Sequence, residues 1–256
     1  MASAFPDVSP ANDPLKDEDG YDEVLQLEPQ DKKPNTKNPT SRWRTVIIMS
    51  NTSHILMLLF TVYVLILSFG DYSFFSWHPA LMTLGSLLFM GEAVLAISTG
   101  NWLTSRLNRR NRITAHWVLQ AIAAACIFAG FLIIFINKNR KGKLHFQSLH
   151  GIVGLVSVIF VGITSSGGVA ALYTTRLKDI IKPAKVKFAH NVFGIITFAI
   201  GIVSTILGIY SGWFTRHSNT LMQIVSVIVV TLASIFAVIN AFKSAYSRFV
   251  NMVQSH

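Results

Sequence analysis

Six long hydrophobic runs alternate with short polar connectors along the chain from about residue 45 onward. The runs are Val46–Phe69, His78–Ser98, Ile113–Ile136, Leu149–Leu172, Phe188–Tyr210 and Leu221–Phe242. At about 1.5 Å per helical residue, each run is long enough to cross roughly 30 Å of hydrocarbon. Backbone groups in lipid must be hydrogen-bonded within the segment, and short connectors make neighbouring helices antiparallel. The pattern therefore predicts an all-α, polytopic membrane protein built as a six-transmembrane-helix bundle.

Composition supports this class and divides the chain into three parts. The chain is 51% hydrophobic and only 13% charged, which is too apolar for a soluble domain. Residues 1–44 are rich in proline and acids and are predicted to form a disordered cytosolic tail without the apolar core of a signal peptide. Residues 45–245 are predicted to be the transmembrane domain. Residues 246–256 are predicted to be a second cytosolic tail.

The basic residues predict the orientation of the bundle. Sixteen of those beyond the acidic stretch fall at one side of the predicted membrane, against five at the other. The five are Lys138, Arg140, Lys141, Lys143 and Arg216. Because cytosolic loops carry the excess of Lys and Arg, both termini are expected in the cytosol. The membrane is expected to be an endomembrane (endoplasmic reticulum or vesicle) or the plasma membrane. This charge reports topology, so no nucleic-acid partner is expected.

Four histidines stand near the openings of four consecutive runs: His78, His116, His150 and His190. A single histidine at such a place is usually an interfacial polar residue, but ionisable groups within a membrane are costly and normally face a partner inside the bundle. In antiparallel helices the first and third of these histidines reach one side, and the second and fourth reach the other. Two pairs at two depths indicate two stacked redox centres. Paired imidazoles suit haem iron, whereas zinc would need four ligands.

Small residues recur one or two turns beyond these histidines, where a flat ligand would need room. Gly194 and Gly201 follow His190 along one stripe of the fifth run, and Gly85 and Gly154 follow His78 and His150. We interpret these glycines as haem-packing positions. The alternative is close helix packing through small residues, which is common in membranes.

The ordered motifs of residues 45 to 250 resemble the cytochrome b561 family, most closely its branch of cytochrome b561 domain-containing transmembrane reductases. The motifs are Ser76-Trp-His-Pro79, Glu92, His116-Trp-Val-Leu-Gln120, Lys143-Leu-His-Phe146, Ser148-Leu-His-Gly151, Ser166-Gly-Gly168, Lys185-Val-Lys-Phe-Ala-His190 and Ser211-Gly-Trp-Phe214.

This resemblance implies two non-covalent b-type haems. One is held by His78 and His150 on the non-cytosolic side, and the other by His116 and His190 on the cytosolic side. It further implies a transmembrane oxidoreductase that passes electrons from cytosolic ascorbate to ferric iron, as a chelate, or to monodehydroascorbate. The stretch Glu92–Ser98 departs from the pattern of the ascorbate-using members, so another cytosolic reductant remains an alternative electron donor. The lipid bilayer and these substrates are the expected partners, with a homodimer as a further option.

Cations near each haem could gather the small anions that such a protein uses. The candidates for the cytosolic donor are Arg106, Arg109, Arg110, Arg112, Lys185 and Lys187. Topology signalling explains them equally well. The candidates for the non-cytosolic acceptor are Lys141, Lys143 and His145, which lie where the orientation rule expects few cations. Lipid headgroup binding is the alternative for that cluster.

Glu92 is a carboxyl group within the second run and needs a partner there. It follows His78 by fourteen residues, so an ideal helix places it on about the same face, toward the cytosolic haem. It could relay the proton released when ascorbate is oxidised, or it could pair with an arginine of the second connector. A histidine-lined transporter or proton channel without redox activity, with Glu92 as a relay, is the alternative function.

Overall fold

The structure, a computed structural model, describes residues 39–98, 101–176 and 178–254. Almost all of the predicted acidic tail lies outside these residues. The described helices are α1 (Pro39–Gly70), α2 (Phe74–Ile97), α3 (Arg109–Arg140), α4 (Leu149–Leu172), α5 (Pro183–Ile209), the short α6 (Gly212–His217) and α7 (Thr220–Gln254). All but α6 are long and apolar enough to cross a membrane. The prediction of a six-helix, all-α membrane bundle is confirmed.

Several helices begin or end beyond the predicted hydrophobic runs, whereas α4 has the predicted bounds. The basic residues Arg109, Arg110 and Arg112 belong to the first turn of α3, not to a connector, and Lys185 and Lys187 belong to the first turns of α5. The last helix continues to Gln254, so most of the predicted C-terminal tail is helical. Polar residues continue these helices because the hydrocarbon core limits only the apolar stretch, while the ends lie in the headgroup region.

The helices pack so that α2 and α3 form one pair and α4 and α5 another, with α1 and α7 packed on each other. Helix α7 also contacts α5 and α2, and α2 contacts α5 across the bundle. The core includes Met57, Leu87, Leu95, Ile127 and Val230, none more than 1% exposed. Many other large apolar side chains remain exposed on the outside of the bundle, where lipid would cover them.

Helix α2 contains a π-helical segment, Leu84–Phe89, between two α-helical stretches. A π turn holds one more residue than an α turn, so it rotates the later part of the helix by about 100° relative to an ideal α-helix. Ideal helix geometry predicts Glu92 on the same face as His78, but the π segment moves Glu92 off that face. It faces α1 instead, where its carboxylate contacts His54. The sequence contains no signal for this local widening.

Gly85 lies at the tightest contact between α2 and α3. An added Cβ there would be 2.7 Å from Cγ1 of Ile127 and 2.9 Å from the carbonyl oxygen of Ala123. Gly85 therefore permits the close approach of two helices, and its predicted haem-packing role stays a prediction. The alternative weighed for the glycines, packing through small residues, applies at this position.

Replacing Gly85 by valine is expected to destabilise the bundle by about 1–3 kcal/mol, the range for overpacking a filled core. The backbone carbonyl of Ala123 cannot move away without shifting α3. Thermal unfolding in detergent measures the loss. Gly70→Val is the control, because a Cβ at Gly70 meets nothing within 4 Å. Equal melting temperatures for the two variants would contradict this account of the contact.

Candidate functional site

The structure brings the four histidines of the second to fifth spans together as two pairs. The ring centroids of His78 and His150 are 6.2 Å apart, with the ring planes inclined by 72°. Those of His116 and His190 are also 6.2 Å apart, with an inclination of 86°. Each pair joins one residue of the α2–α3 pair of helices to one residue of the α4–α5 pair. The composition of both pairs is the one that antiparallel helices predict.

Local sequence explains how two of these rings are placed. Ser148 caps α4 by accepting a hydrogen bond from the backbone N–H of Gly151, which fixes His150 in the first turn of that helix. Helix α3 begins after Asn108, whose side chain accepts from the N–H of Asn111, so that His116 lies two turns into the helix. Polar caps thus set the depth at which the rings enter the bundle.

Backbone carbonyls of the neighbouring helix orient the rings. Nδ1 of His78 is 3.0 Å from the carbonyl of Gly130, and Nδ1 of His116 is 2.8 Å from that of Ala93, so α2 and α3 are joined reciprocally. Nδ1 of His150 is 3.0 Å from the carbonyl of Ser204 on α5. A carbonyl can only accept, so each of these Nδ1 atoms carries the proton. Each Nε2 is then left with a lone pair, the form that binds a metal.

His190 of α5 faces a backbone carbonyl of α4, as His150 of α4 faces one of α5, but its contact is weaker. The carbonyl of Thr164 on α4 is the backbone acceptor near its ring, yet the contact falls outside normal hydrogen-bond geometry. Its buried Nδ1 therefore has no hydrogen-bond partner among the described residues. The backbone therefore orients the ring of His190 less firmly than it orients the other three rings.

The two pairs fit haem iron better than other metal centres. Two rings whose nitrogens bind one metal ion at about 2 Å from opposite sides have centroids about 6 Å apart, and both pairs have a separation of 6.2 Å. Among the described residues, no group of three or more His, Cys, Asp or Glu side chains converges on one point. A centre with only two protein ligands suits an iron whose other four positions are filled by a porphyrin.

Glycines adjoin a ring in each pair and leave no room for a side chain. An added Cβ at Gly208 would be 3.2 Å from Cε1 of His150, and one at Gly168 would be 3.1 Å from Cε1 of His190. The glycine singled out nearest His190, Gly194, has nothing within 4 Å of its Cβ position. The role of Gly208 and Gly168 beside the rings depends on how α4 and α5 cross, which sequence spacing does not reveal.

A cavity of about 430 Å³ opens at the His78–His150 end, a size typical of small-molecule sites. Both histidines line it, together with the predicted haem-packing residues Gly154 and Gly201. So do three polar side chains from the end of α3 and the α3–α4 connector: Lys138, Lys143 and His145.

The α3–α4 connector folds back on the end of α3. Nζ of Lys138 donates to the carbonyl of Leu144 at 2.9 Å, and Nε2 of His145 is 2.7 Å from Oδ1 of Asn139. The ring of His145 also stacks on Phe135, with centroids 4.3 Å apart. Of the three predicted acceptor residues, Lys143 and His145 thus line the cavity, while Lys141 is an exposed residue that does not.

The predicted donor residues gather at the opposite end, around the His116–His190 pair. Lys187 and Arg109 are half-buried and lie close enough to repel each other, and Arg248 of α7 joins them. Arg112, one turn before His116, has a buried Nε without a hydrogen-bond partner among the described residues. Arg106, Arg110 and Lys185 are exposed. No pattern in the sequence indicates Arg248, which reaches this cluster only because α7 packs on α5.

Glu92 pairs with a histidine and not with an arginine of the second connector, which corrects the prediction. Nδ1 of His54 on α1 is 2.7 Å from the Glu92 carboxylate, and its Nε2 is 3.0 Å from Oδ1 of Asn101. The two side chains are only 10% and 20% exposed. His54 is absent from the predicted site residues, although an ionisable residue inside a predicted span is itself a signal.

The chain is similar to known membrane reductases over most of its length. Residues 77–215, which include all four paired histidines, match the family model described as eukaryotic cytochrome b561. The transmembrane reductase CYB561D2 of Homo sapiens is 35% identical over 194 residues, which cover 76% of this chain and 86% of that protein.

More distant relatives have related names. The probable transmembrane reductase CYB561D1 of Mus musculus is 32% identical over 162 residues, 63% of this chain and 70% of the relative. The lysosomal membrane ascorbate-dependent ferrireductase CYB561A3 of Mus musculus is 27% identical over 155 residues, 59% of this chain and 61% of the relative. The chain therefore belongs to the cytochrome b561 family, in its branch of transmembrane reductases.

Proposed function

We propose that this protein carries electrons across a membrane through two b-type haems, each held by two histidines. The donor is ascorbate on the cytosolic side, and the acceptor on the other side is a ferric iron chelate or monodehydroascorbate. The observation that carries the proposal is the presence of two histidine pairs at opposite ends of one bundle, each with the ring separation of a two-imidazole iron site. Membership of the family supports b-type haem and ascorbate-related electron transfer in general.

The residues of this chain would hold the haems by coordination alone. Nε2 of His78 and His150 would bind one iron, and Nε2 of His116 and His190 the other. Bound haem would supply reversible one-electron chemistry, and two histidine ligands for each iron would favour electron transfer over oxygen chemistry. The carbonyls of Gly130, Ala93 and Ser204 would keep the rings in the binding tautomer. Buried apolar side chains between the two ends would exclude water from the path.

Substrate binding at both ends would rest on positive charge. At the cytosolic end, Arg112 would offer its buried, unpartnered Nε to an anion one turn from His116. At the other end, Lys143 and His145 line the same cavity as His78 and His150, so their charge and polarity would attract an anionic acceptor to the haem that this cavity would hold. Both arrangements place the charge of the substrate beside a histidine pair, where an electron need travel only a short way.

Purified full-length protein tests the proposed function directly. The expected result is a haem content of about two per chain, with a low-spin spectrum that ascorbate reduces and a ferric chelate reoxidises. Reconstitution in vesicles with ascorbate inside and the ferric chelate outside would show transfer across the bilayer. A protein that folds without haem would contradict the proposal and favour the histidine-lined channel, which needs no pigment.

Replacing Lys143 by glutamine is expected to raise the KM for an anionic ferric chelate by about two- to fivefold, the effect of losing one partly screened charge near the ligand. The rate of haem reduction by ascorbate should not change. Steady-state reduction at low ionic strength measures this. Lys141→Gln is the matched control, because Lys141 lies on the same connector but outside the cavity. If both variants had equal KM values, the cluster would act only by attracting anions to this end of the protein or by contacting lipid headgroups.

A further inference from the structure

The hydrogen bonds around His54 determine where its protons lie. Asn101 donates through Nδ2 to the carbonyl of Leu95 at 3.0 Å and accepts through Oδ1 from the N–H of Leu103 at 2.9 Å. These two bonds fix the orientation of the amide, so the atom 3.0 Å from Nε2 of His54 is an oxygen. An amide oxygen only accepts. Nε2 of His54 therefore carries a proton.

The contact on the other side of the ring must then hold a second proton. Nδ1 of His54 is 2.7 Å from the Glu92 carboxyl group. If both atoms were deprotonated, a nitrogen lone pair would face a carboxylate oxygen at hydrogen-bond distance, which is repulsive. One proton therefore lies between them, either on Nδ1 beside a carboxylate or on the carboxyl group beside a neutral ring. These distances thus fit the pair in its proton-loaded form.

This pair adjoins the His116–His190 site through the backbone. The residue after Glu92 is Ala93, whose carbonyl accepts the hydrogen bond from Nδ1 of His116 at 2.8 Å. Gly91, the residue before, lies directly against Met57 of α1, and this close approach of α1 and α2 brings His54 to Glu92. An added electron at the His116–His190 site would therefore place negative charge near the pair in a partly buried environment.

Cationic side chains lie around the His116–His190 pair, with Arg109, Lys187 and Arg248 clustered at that end of the bundle. Helix α7, which packs on α1 and α2, presents Asn240, whose amide donates to Ser98 at 2.7 Å, and its nearest cation along the helix is Lys243. Helix α3 contributes His116 and, one turn earlier, Arg112. Helix α5 presents the apolar ring of Phe198 to Gly91. Among the described residues, Glu92 is the one carboxyl group within a spanning helix, so it is the acid that can respond to charge at this site.

We propose that the His54–Glu92 pair is the proton acceptor coupled to electron entry at the His116–His190 site. The inference rests on the proposed function. Ascorbate that gives up one electron near neutral pH also releases one proton and becomes the monodehydroascorbate radical. The electron enters the haem site, and the proton occupies the position between Nδ1 of His54 and the Glu92 carboxyl group. When the electron leaves for the His78–His150 site, the proton returns to the donor side.

The coupling has a calculable size. Two unit charges about 10 Å apart at an effective dielectric constant of about 20 interact strongly enough to change proton affinity by about tenfold. The pair therefore holds its proton when the adjacent site is reduced and releases it when that site is oxidised. Asn101 is a positioning residue, since its amide oxygen orients His54 and does not itself take the proton.

Reduction potentials measured against pH on the purified, haem-loaded full-length protein test the proposal. In the wild type, the equilibrium constant for reducing one haem is expected to fall by about tenfold in total, or about 59 mV for a one-electron couple, as the pH rises through the range in which the pair loses its proton. Glu92→Gln and His54→Gln are expected to remove this dependence. Asp71→Asn is the matched carboxyl-to-amide control, because the Asp71 side chain is 89% exposed in the α1–α2 connector, and it should retain the wild-type slope.

Two outcomes would overturn the proposal. One is a wild-type potential that does not vary with pH, and the other is an unchanged slope in both variants. The first needs no variant, so it decides the matter even if the substitutions prevent folding. Proton uptake per electron, measured with a pH indicator in weakly buffered wild-type protein, gives an independent check. Absence of haem from the wild type would instead contradict the proposed function, so the two failures are distinguishable.

Discussion

Replacing His116 by alanine is expected to remove haem from one site only and to stop reduction by ascorbate. The remaining imidazole, His190, lacks a bonded partner for its Nδ1 among the described residues and would have to hold the iron alone. The His78–His150 pair has its own carbonyl contacts at the other end of the bundle and should keep its haem. Haem content should fall by about half, and the ascorbate-driven rate by at least about a hundredfold.

The complementary variant separates electron entry from electron exit. His78→Ala should leave haem at the His116–His190 site, which ascorbate still reduces, but transfer to the external acceptor should cease. Pyridine haemochrome content and stopped-flow spectra measure both effects. His217→Ala is the control, because that imidazole bonds to the carbonyl of Trp213 within its own helix and belongs to neither pair. Retention of both pigments in His116→Ala would refute the ligand assignment.

Replacing Gly208 by valine is expected to lower haem affinity at the His78–His150 site by about ten- to a hundredfold, as when a group that orients a metal ligand is disturbed. A Cβ alone would be 3.2 Å from Cε1 of His150, and the branched carbons of valine would push the ring away from the iron position. Haem retained at this site is best measured in a His116→Ala background, where it is the remaining pigment.

The control for this substitution lies on the same helix. Gly194→Val introduces the same side chain with the same helix propensity, but nothing lies within 4 Å of its Cβ position. It should therefore leave the His78–His150 site unchanged. If both variants lost haem there equally, the cause would be weakening of α5 and not the contact with His150.

Sequence periodicity is sufficient to predict the six spans and the pairing of the histidines. Span length is imposed by the bilayer, and helix direction alternates when connectors are short, so His78 must reach the same end as His150. These properties depend only on distance along the chain. The bundle and the grouping of His116 with His190 can therefore be derived without knowledge of side-chain contacts.

Features set by how one helix crosses another cannot be predicted in this way. The π segment rotates Glu92 toward α1, and only then does His54 become its partner. Spacing alone assigns Gly85 to haem packing, yet Gly85 lies in the contact between α2 and α3. Gly168 and Gly208 adjoin the rings because α4 and α5 meet at particular residues. Each case depends on interhelical geometry, which a one-dimensional pattern does not contain.

The hydrogen bonds from the rings to carbonyls have a consequence for assembly. His78 and His116 join α2 to α3, and His150 joins α4 to α5, through Nδ1 atoms and not through the Nε2 atoms that would bind iron, so each hairpin has internal hydrogen bonds that do not depend on the metal. Each iron would bridge one hairpin to the other. Haem insertion would then be the late step that joins the two preformed hairpins. Protein made during haem shortage should contain intact hairpins that pack loosely on each other.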